Sequence, residues 1–343
     1  MKKKIQKYLL NFILYLTLIV SITSCKKDNR NGDQIIADDV KAKKALADLL
    51  AYKNSDHLLS VGYLVNDGAD PADATNVFNI PDSLDIVTLF AGYQKNPPSW
   101  RAAQAKGTKV LIAEYPSAAY FDHSTKDPYT KLPGYVRPAG IDSLKPTSTS
   151  TYEHYAKSKY YEYITLRGFD GIDMDVETGF FGGELPTEYA PNYMRAMVKY
   201  FGPKCTECVI RADKKRPIFV YDTDVLDKNS GGIGTEELYK PFKENFDHVY
   251  FQSYTTGNRA WYGSGTDDFL PIVNAYGAKF IALVNGDNYT DPKVSQDLLS
   301  YARWMKGNNG GGVGAYRMSR NYNATPRFAN IRQAIQIMNP AKK

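Results

Sequence analysis

Cysteine and histidine are scarce, with three and four among 343 residues, and neither gathers into a ligand set. His57, His123, His154 and His248 stand far apart in the sequence, so no metal and no other cofactor is expected. Cys205 and Cys208 enclose a lone Cys-Thr-Glu-Cys. A zinc centre normally takes four ligands, so this pair is expected to close a small loop as a disulfide. Gly-rich phosphate loops are also missing: none follows an apolar run, which removes the usual chemistry of a doubly wound open sheet. Nor is there a basic stripe with interleaved aromatics, and nucleic acid is excluded as a partner.

What is plentiful is tyrosine, 27 residues in a chain that is 13% aromatic. Barrel packing accounts for tyrosines in general, and sugar clefts use the same rings to stack on pyranose faces, so the number alone does not separate the two uses. The formal charge of +6 is also weak information, because Lys2, Lys3, Lys4 and Lys7 lie in a leader. Without that leader the chain carries about +2.

The leader runs from a Lys-rich start through an apolar stretch, Tyr8 to Val20, to Ile22-Thr23-Ser24-Cys25. This order marks residues 1–24 as a secretory signal; a membrane anchor would need a longer stretch than one interrupted by Asn11. The last four residues resemble a bacterial lipobox, which implies a lipidated Cys25 and a membrane attachment. Residues 25–35 then read as a flexible tether. Its charged start resembles the surface-export signal of Bacteroidetes lipoproteins, implying an outer-membrane, cell-surface location and other glycan-uptake proteins as neighbours.

From residue 36 to 343 a single domain is expected. Ile36 to Ala51 reads as an opening amphipathic helix. Eight apolar β-rich runs follow, at Leu58–Leu64, Asp85–Phe90, Thr108–Glu114, Gly168–Val176, Pro217–Tyr221, His248–Ser253, Lys279–Val284 and Gly312–Tyr316. Helical stretches separate them, at Ser99–Ala105, Tyr152–Leu166, Tyr189–Phe201, Thr235–Asn245 and Ser295–Lys306. Runs apolar on both faces, alternating with helices over about 260 residues, predict an α/β fold of the (β/α)8 TIM-barrel type. The long polar stretch Phe121–Pro146 would then be a loop over the mouth of the barrel.

The fourth run carries the chemistry. In Phe169-Asp170-Gly171-Ile172-Asp173-Met174-Asp175-Val176-Glu177, side chains alternate, so Asp173, Asp175 and Glu177 share one face and Ile172, Met174 and Val176 the other. A barrel strand aims the apolar set at the helices and the acids into the lumen, rising toward the C-terminal mouth. Three acids on one buried face repel each other and lose hydration, a cost without structural benefit. It has a chemical use: crowding beside ionised Asp175 would keep a proton on Glu177, as a general acid requires. Asp173, deeper, would share a proton or hydrogen bond with Asp175.

The pattern Asp-Gly-x-Asp-x-Asp-x-Glu resembles the signature of glycoside hydrolase family 18, the chitinases and endo-β-N-acetylglucosaminidases. The resemblance implies that Glu177 is the acid/base and that the substrate's own 2-acetamido oxygen attacks the anomeric carbon. It further implies that Asp175 orients the acetamide and stabilises an oxazolinium, that Asp173 supports Asp175, and that Asp170 and Gly171 are structural. Gln252-Ser253-Tyr254 resembles the Gln-x-Tyr of the endo-β-N-acetylglucosaminidases, implying that Gln252 and Tyr254 bind the acetamide. Tyr221, Asp222, Asn285, Tyr316 and Arg317, at strand ends, are further candidates for sugar binding. The chain departs from family chitinases in the third run, which lacks Ser-x-Gly-Gly, and in having no Trp at the end of the eighth; Trp304 falls in the preceding helix.

The expectation is a retaining endo-β-N-acetylglucosaminidase acting on the GlcNAc-β-1,4-GlcNAc bond of N-glycans or glycoproteins. A chitinase and a non-catalytic glycan-binding barrel remain as alternatives.

Overall fold

The computed structural model describes residues 32–93, 98–114, 149–177, 190–208, 216–224, 226–227, 232–233, 240–255, 266 and 269–341. Cys25, the leader and the Phe121–Pro146 stretch lie outside them. The chain divides into two units, residues 1–48 and 49–343. The opening helix α1 is Gly32–Lys53; Val40 and Leu46, which its expected amphipathic pattern would bury, are exposed.

The second unit is a closed parallel barrel of eight strands. They are β1 (Leu59–Val65), β2 (Ile86–Phe90), β3 (Lys109–Glu114), β4 (Gly171–Val176), β5 (Ile218–Thr223), β6 (His248–Gln252), β7 (Phe280–Asn285) and β8 (Gly312–Tyr316). Each pairs with its sequence neighbours, and β8 closes on β1. Helices α2 (Pro98–Ala105), α3 (Thr149–Lys159), α4 (Ala190–Tyr200), α5 (Phe269–Tyr276), α6 (Pro292–Gly307) and α7 (Ala329–Met338) belong to the outer layer. The eight runs read from sequence are thus the eight strands, because buried parallel strands are apolar on both faces and stand out as runs.

The details differ where sequence carries no signal. The helix expected over Tyr152–Leu166 changes to a π-helix at Tyr160–Arg167, and Lys240–Asn245 is a 3-10 helix. α5 and α7 were not anticipated. Cys205 and Cys208, just after α4, are joined as a disulfide.

Strand register sorts the side chains into two cores. Facing the helices are Ile172, Met174 and Val176 of β4 with Phe219 and Tyr221 of β5. Facing the lumen are Val61, Ile86, Leu111, Val220, Ile281 and Leu283, an apolar floor, with Tyr63, Tyr250 and Tyr254 higher. The start of β4 is fixed on both sides. Gly168, in the left-handed region at φ 70°, ends the π-helix. A Cβ on Gly171 would collide with the Ile218 carbonyl, so only glycine lets β4 approach β5 there. Between them, Asp170 Oδ2 accepts from Val110 N at 2.9 Å and Gln104 Nε2 at 2.8 Å, and its carbonyl accepts from Ile218 N at 2.9 Å. Asp170 therefore ties β3, β4, β5 and α2 at the strand's base.

Outside the lumen, at the end of β3, Glu114 is buried in the helical layer. It accepts from Tyr155 and Tyr163, each at 2.5 Å, and pairs with Lys159 at 2.6 Å. The Lys159 ammonium lies over both tyrosine rings, 5.3 and 5.1 Å from their centroids.

Candidate active site

The alternation of β4 delivers Asp173 and Asp175 to the lumen, and Glu177 follows the last strand residue. All three are buried, at 0%, 4% and 7% exposure. Burial is what the chemistry needs, since carboxyls left in water keep ordinary pKa values. Desolvation raises Asp173 to about 7, against the opposing effect of two hydroxyl donors, Tyr63 at 2.5 Å and Thr88 at 3.2 Å. The expected Asp173–Asp175 hydrogen bond is not formed. Asp173 Oδ2 is taken by Tyr63 and Thr88, and Oδ1 has no hydrogen-bond partner among the described residues.

Asp175 is held from β6 instead, where Gln252 Nε2 donates to its Oδ1 at 3.0 Å. Ser253 is pinned outward: its Oγ lies 3.1 Å from the Tyr301 hydroxyl on α6, and that hydroxyl donates to its carbonyl at 3.0 Å. Gln252 and Tyr254 are left on the lumen side, the latter 5% exposed. Burial, with Asp222, Glu177 and Asp175 nearby, pushes the Tyr254 hydroxyl well above its ordinary pKa, so it stays a protonated donor.

The strand-end candidates divide. Asp222 lies in register with Asp175, 2% exposed, and accepts from Tyr63 at 2.8 Å. Tyr221, its neighbour, is corrected: consecutive strand residues face opposite ways, and Tyr221 stacks on Phe246 in the helical layer, centroids 5.2 Å apart. Asn285 Oδ1 accepts from Asp287 N at 2.9 Å, capping the turn after β7. Tyr316 stands edge-on to Phe90 at 5.8 Å and to Tyr63 at 6.2 Å, with Tyr254 at 6.3 Å. Arg317, one residue past the strand, donates from Nε to the Tyr316 hydroxyl at 3.3 Å and pairs with Asp287 at 3.1 Å. Trp304 packs on Phe269, 5.3 Å away, outside the lumen.

Three residues were not singled out from sequence. Tyr63, Thr88 and Phe90 sit on lumen positions of β1 and β2, and the alternation of those strands was the one available signal. The assembled site is a row of buried acids on β4 and β5, an amide on β6 and a wall of four rings. No group of His, Cys, Asp and Glu among the described residues is arranged to hold a metal. The set is suited to acid/base and electrostatic work on a neutral, ring-shaped ligand.

Known proteins share this frame. Endo-beta-N-acetylglucosaminidase F2 of Elizabethkingia meningoseptica is 26% identical over 382 residues, covering 96% of this chain and 99% of that protein. An endo-beta-N-acetylglucosaminidase of Bifidobacterium longum subsp. infantis is 24% identical over 271 residues, 71% of this chain but 44% of its own length. Among solved structures, the apo endo-beta-N-acetylglucosaminidase of Cordyceps militaris has a TM-score of 0.61 at 21% identity, covering 87% of this chain and 96% of that one. A double mutant of that enzyme, in complex with fucosyl-N-acetylglucosamine-Asn, has a TM-score of 0.60 at 20% identity, covering 86% and 96%. The model of the endo-beta-N-acetylglucosaminidase EndoS TIM-barrel domain matches residues 62–313, well over half of the sequence, and the chain belongs to that family.

Proposed function

We propose that the chain is an endo-β-N-acetylglucosaminidase of the glycoside hydrolase family 18 type. It cleaves the GlcNAc-β-1,4-GlcNAc bond of the N-glycan chitobiose core by a retaining, substrate-assisted route. The observation that carries this reading is Asp175, buried beside Glu177 and fixed through Oδ1 by Gln252 at 3.0 Å. A carboxylate oriented by a neutral amide donor keeps its negative charge, and so can accept a substrate N–H and offset a developing positive charge.

In this mechanism Glu177 protonates the departing glycosidic oxygen. The acetamide oxygen attacks the anomeric carbon, closing an oxazolinium ring, while Asp175 accepts the acetamide N–H and offsets the positive charge. Glu177 then takes a proton from water as the water opens the ring from the opposite side. Two inversions give net retention. Tyr254, kept protonated, donates to the acetamide oxygen, and the rings of Tyr316 and Phe90 offer apolar faces to the sugar. Support comes from the family match and from the activity by which the Elizabethkingia meningoseptica relative is named.

The test is mass spectrometry of glycans released from ribonuclease B and an immunoglobulin. The expected product is an intact glycan ending in one GlcNAc, with chitotetraose left uncut. Failure to release glycan from any glycoprotein of a broad panel would overturn the reading, and cleavage of chitotetraose alone would make the chain a chitinase.

The location belongs to the same proposal. The lipobox-like Ile22-Thr23-Ser24-Cys25 and the polar tether support an exported lipoprotein facing glycoproteins outside the cell.

A further inference from the structure

Tyr63 places one hydroxyl between two buried carboxylates. Its oxygen lies 2.5 Å from Asp173 Oδ2 and 2.8 Å from Asp222 Oδ2, and both acids are at or near zero exposure. A tyrosine hydroxyl has one hydrogen and can donate to one of them. If both acids were ionised, the second contact would set lone pair against lone pair at hydrogen-bond distance, between two like charges out of reach of water. A second proton is therefore required, on one of the carboxyls and directed at the Tyr63 oxygen. Thr88 decides which. It donates at 3.2 Å to Asp173 Oδ2, so Asp173 collects two donors and is the better seat for the negative charge. The proton resides on Asp222, which donates to Tyr63 as Tyr63 donates to Asp173.

We propose that Asp222 is a positioning residue for hydrolysis, holding through Tyr63 a proton that it can exchange with Asp173. The exchange balances within the chain. Asp222 O–H breaks as the Tyr63 oxygen gains that proton, and the former Tyr63 proton bonds to Asp173 Oδ2. Total charge is unchanged, and the pair keeps one negative charge instead of two. That limit leaves Asp175 able to ionise and take the acetamide N–H, so the inference rests on the mechanism proposed above. Among the described residues, the titratable groups facing Asp222 are Tyr63 from β1, Asp173, Asp175 and Glu177 from the β4 segment, and Tyr250 and Tyr254 from β6, and none of these is a cation. Burial and the charges of Asp173 and Asp175 push Asp222 well above the carboxylate range, in the direction the geometry requires.

The experiment is infrared spectroscopy of the full chain at pH 9, well above the value of about 7 to which Asp173 is raised, so that Asp173 has given up its own proton, read beside kinetics. A protonated-carboxyl band is expected in the parent, lost in Asp222→Asn and retained in Glu177→Gln. Tyr63→Phe, which removes the acceptor but little volume, should keep the band and move it to higher frequency. In turnover, Asp222→Asn should lower kcat about tenfold, the equivalent of one pKa unit, with KM nearly unchanged. Tyr63→Phe should do the same, and the double variant should be no worse than either, because one relay is broken only once. A band that survives Asp222→Asn, or that is insensitive to Tyr63→Phe, overturns the assignment, as do additive losses. The infrared arm needs no substrate, so it stands even if the hydrolysis reading fails.

Discussion

Asp173 is carried at the expense of folding, and the cost can be measured. Its carboxyl is fully buried and its pKa is raised from 3.8 to about 7, chiefly by desolvation. In the unfolded chain it ionises near its ordinary value. Below that value both states hold the proton; between 3.8 and about 7 the unfolded chain has released it and the folded chain has not. Stability therefore falls as pH rises through this window, by about 1.4 kcal/mol per unit, and levels off above it. Across the whole window the loss is about 4 kcal/mol, a large part of a domain's net stability. Asp173→Asn keeps the shape and the acceptor for Tyr63 and Thr88 but cannot ionise. Urea unfolding of parent and variant at a series of pH values should show the variant gaining on the parent by about 3 kcal/mol between pH 5 and pH 8. The gain should come with loss of activity, stability exchanged for function. The constant offset between the two proteins carries no weight here, because an asparagine nitrogen replaces an oxygen that has no hydrogen-bond partner among the described residues. A stability difference flat between pH 5 and pH 8 would refute the argument, since it would mean that Asp173 ionises in the fold as readily as in water.

Glu177→Gln should lower kcat by about 10²–10⁴-fold with binding intact, and Asp175→Asn should cripple the acetamide-assisted step yet still transfer glycan from a preformed oxazoline. Near-parental rates in either would contradict their roles. In the helical layer, Lys159→Met strands Glu114 with two hydroxyls and no cation. Urea unfolding should show a loss of about 3 kcal/mol, most of it recovered on adding Glu114→Leu. On the proposed lipoprotein reading, metabolic labelling with palmitate should mark the parent and not Cys25→Ser; an unlabelled parent would remove the lipid anchor.

The sequence disclosed the parts of the molecule that rest on periodicity. Barrel strands buried on both faces are apolar runs, so all eight appear within a few residues of their observed ends. Period two placed Asp173 and Asp175 in the lumen without further help. The same rule should have separated Tyr221 from Asp222, since neighbours in a strand cannot both face inward, and the structure separates them. What was not legible depends on contacts across long stretches of chain. Tyr63 reaches Asp173 over 110 residues and Asp222 over 159, and no spacing within Leu59–Val65 announces either. The π-helix before β4 was equally silent, because nothing in Tyr160–Arg167 marks a change from α to π hydrogen bonding.

The apolar floor of the lumen bears directly on the chemistry above it. Val61, Ile86 and Val220 lie one lumen position below Tyr63, Thr88 and Asp222 on their own strands, Leu111 is in register with Gly171, one lumen position below Asp173, and Ile281 and Leu283 precede Asn285 on β7. With apolar side chains beneath them, Asp173 and Asp222 are desolvated, and Tyr63 and Thr88 supply hydrogen bonds to them. A polar floor would admit water and return Asp173 and Asp222, both raised by burial, toward the ordinary carboxylate range. The hydrophobic half of the alternation in β1, β2, β3 and β5 is thus as much a condition of the reaction as the acidic half in β4.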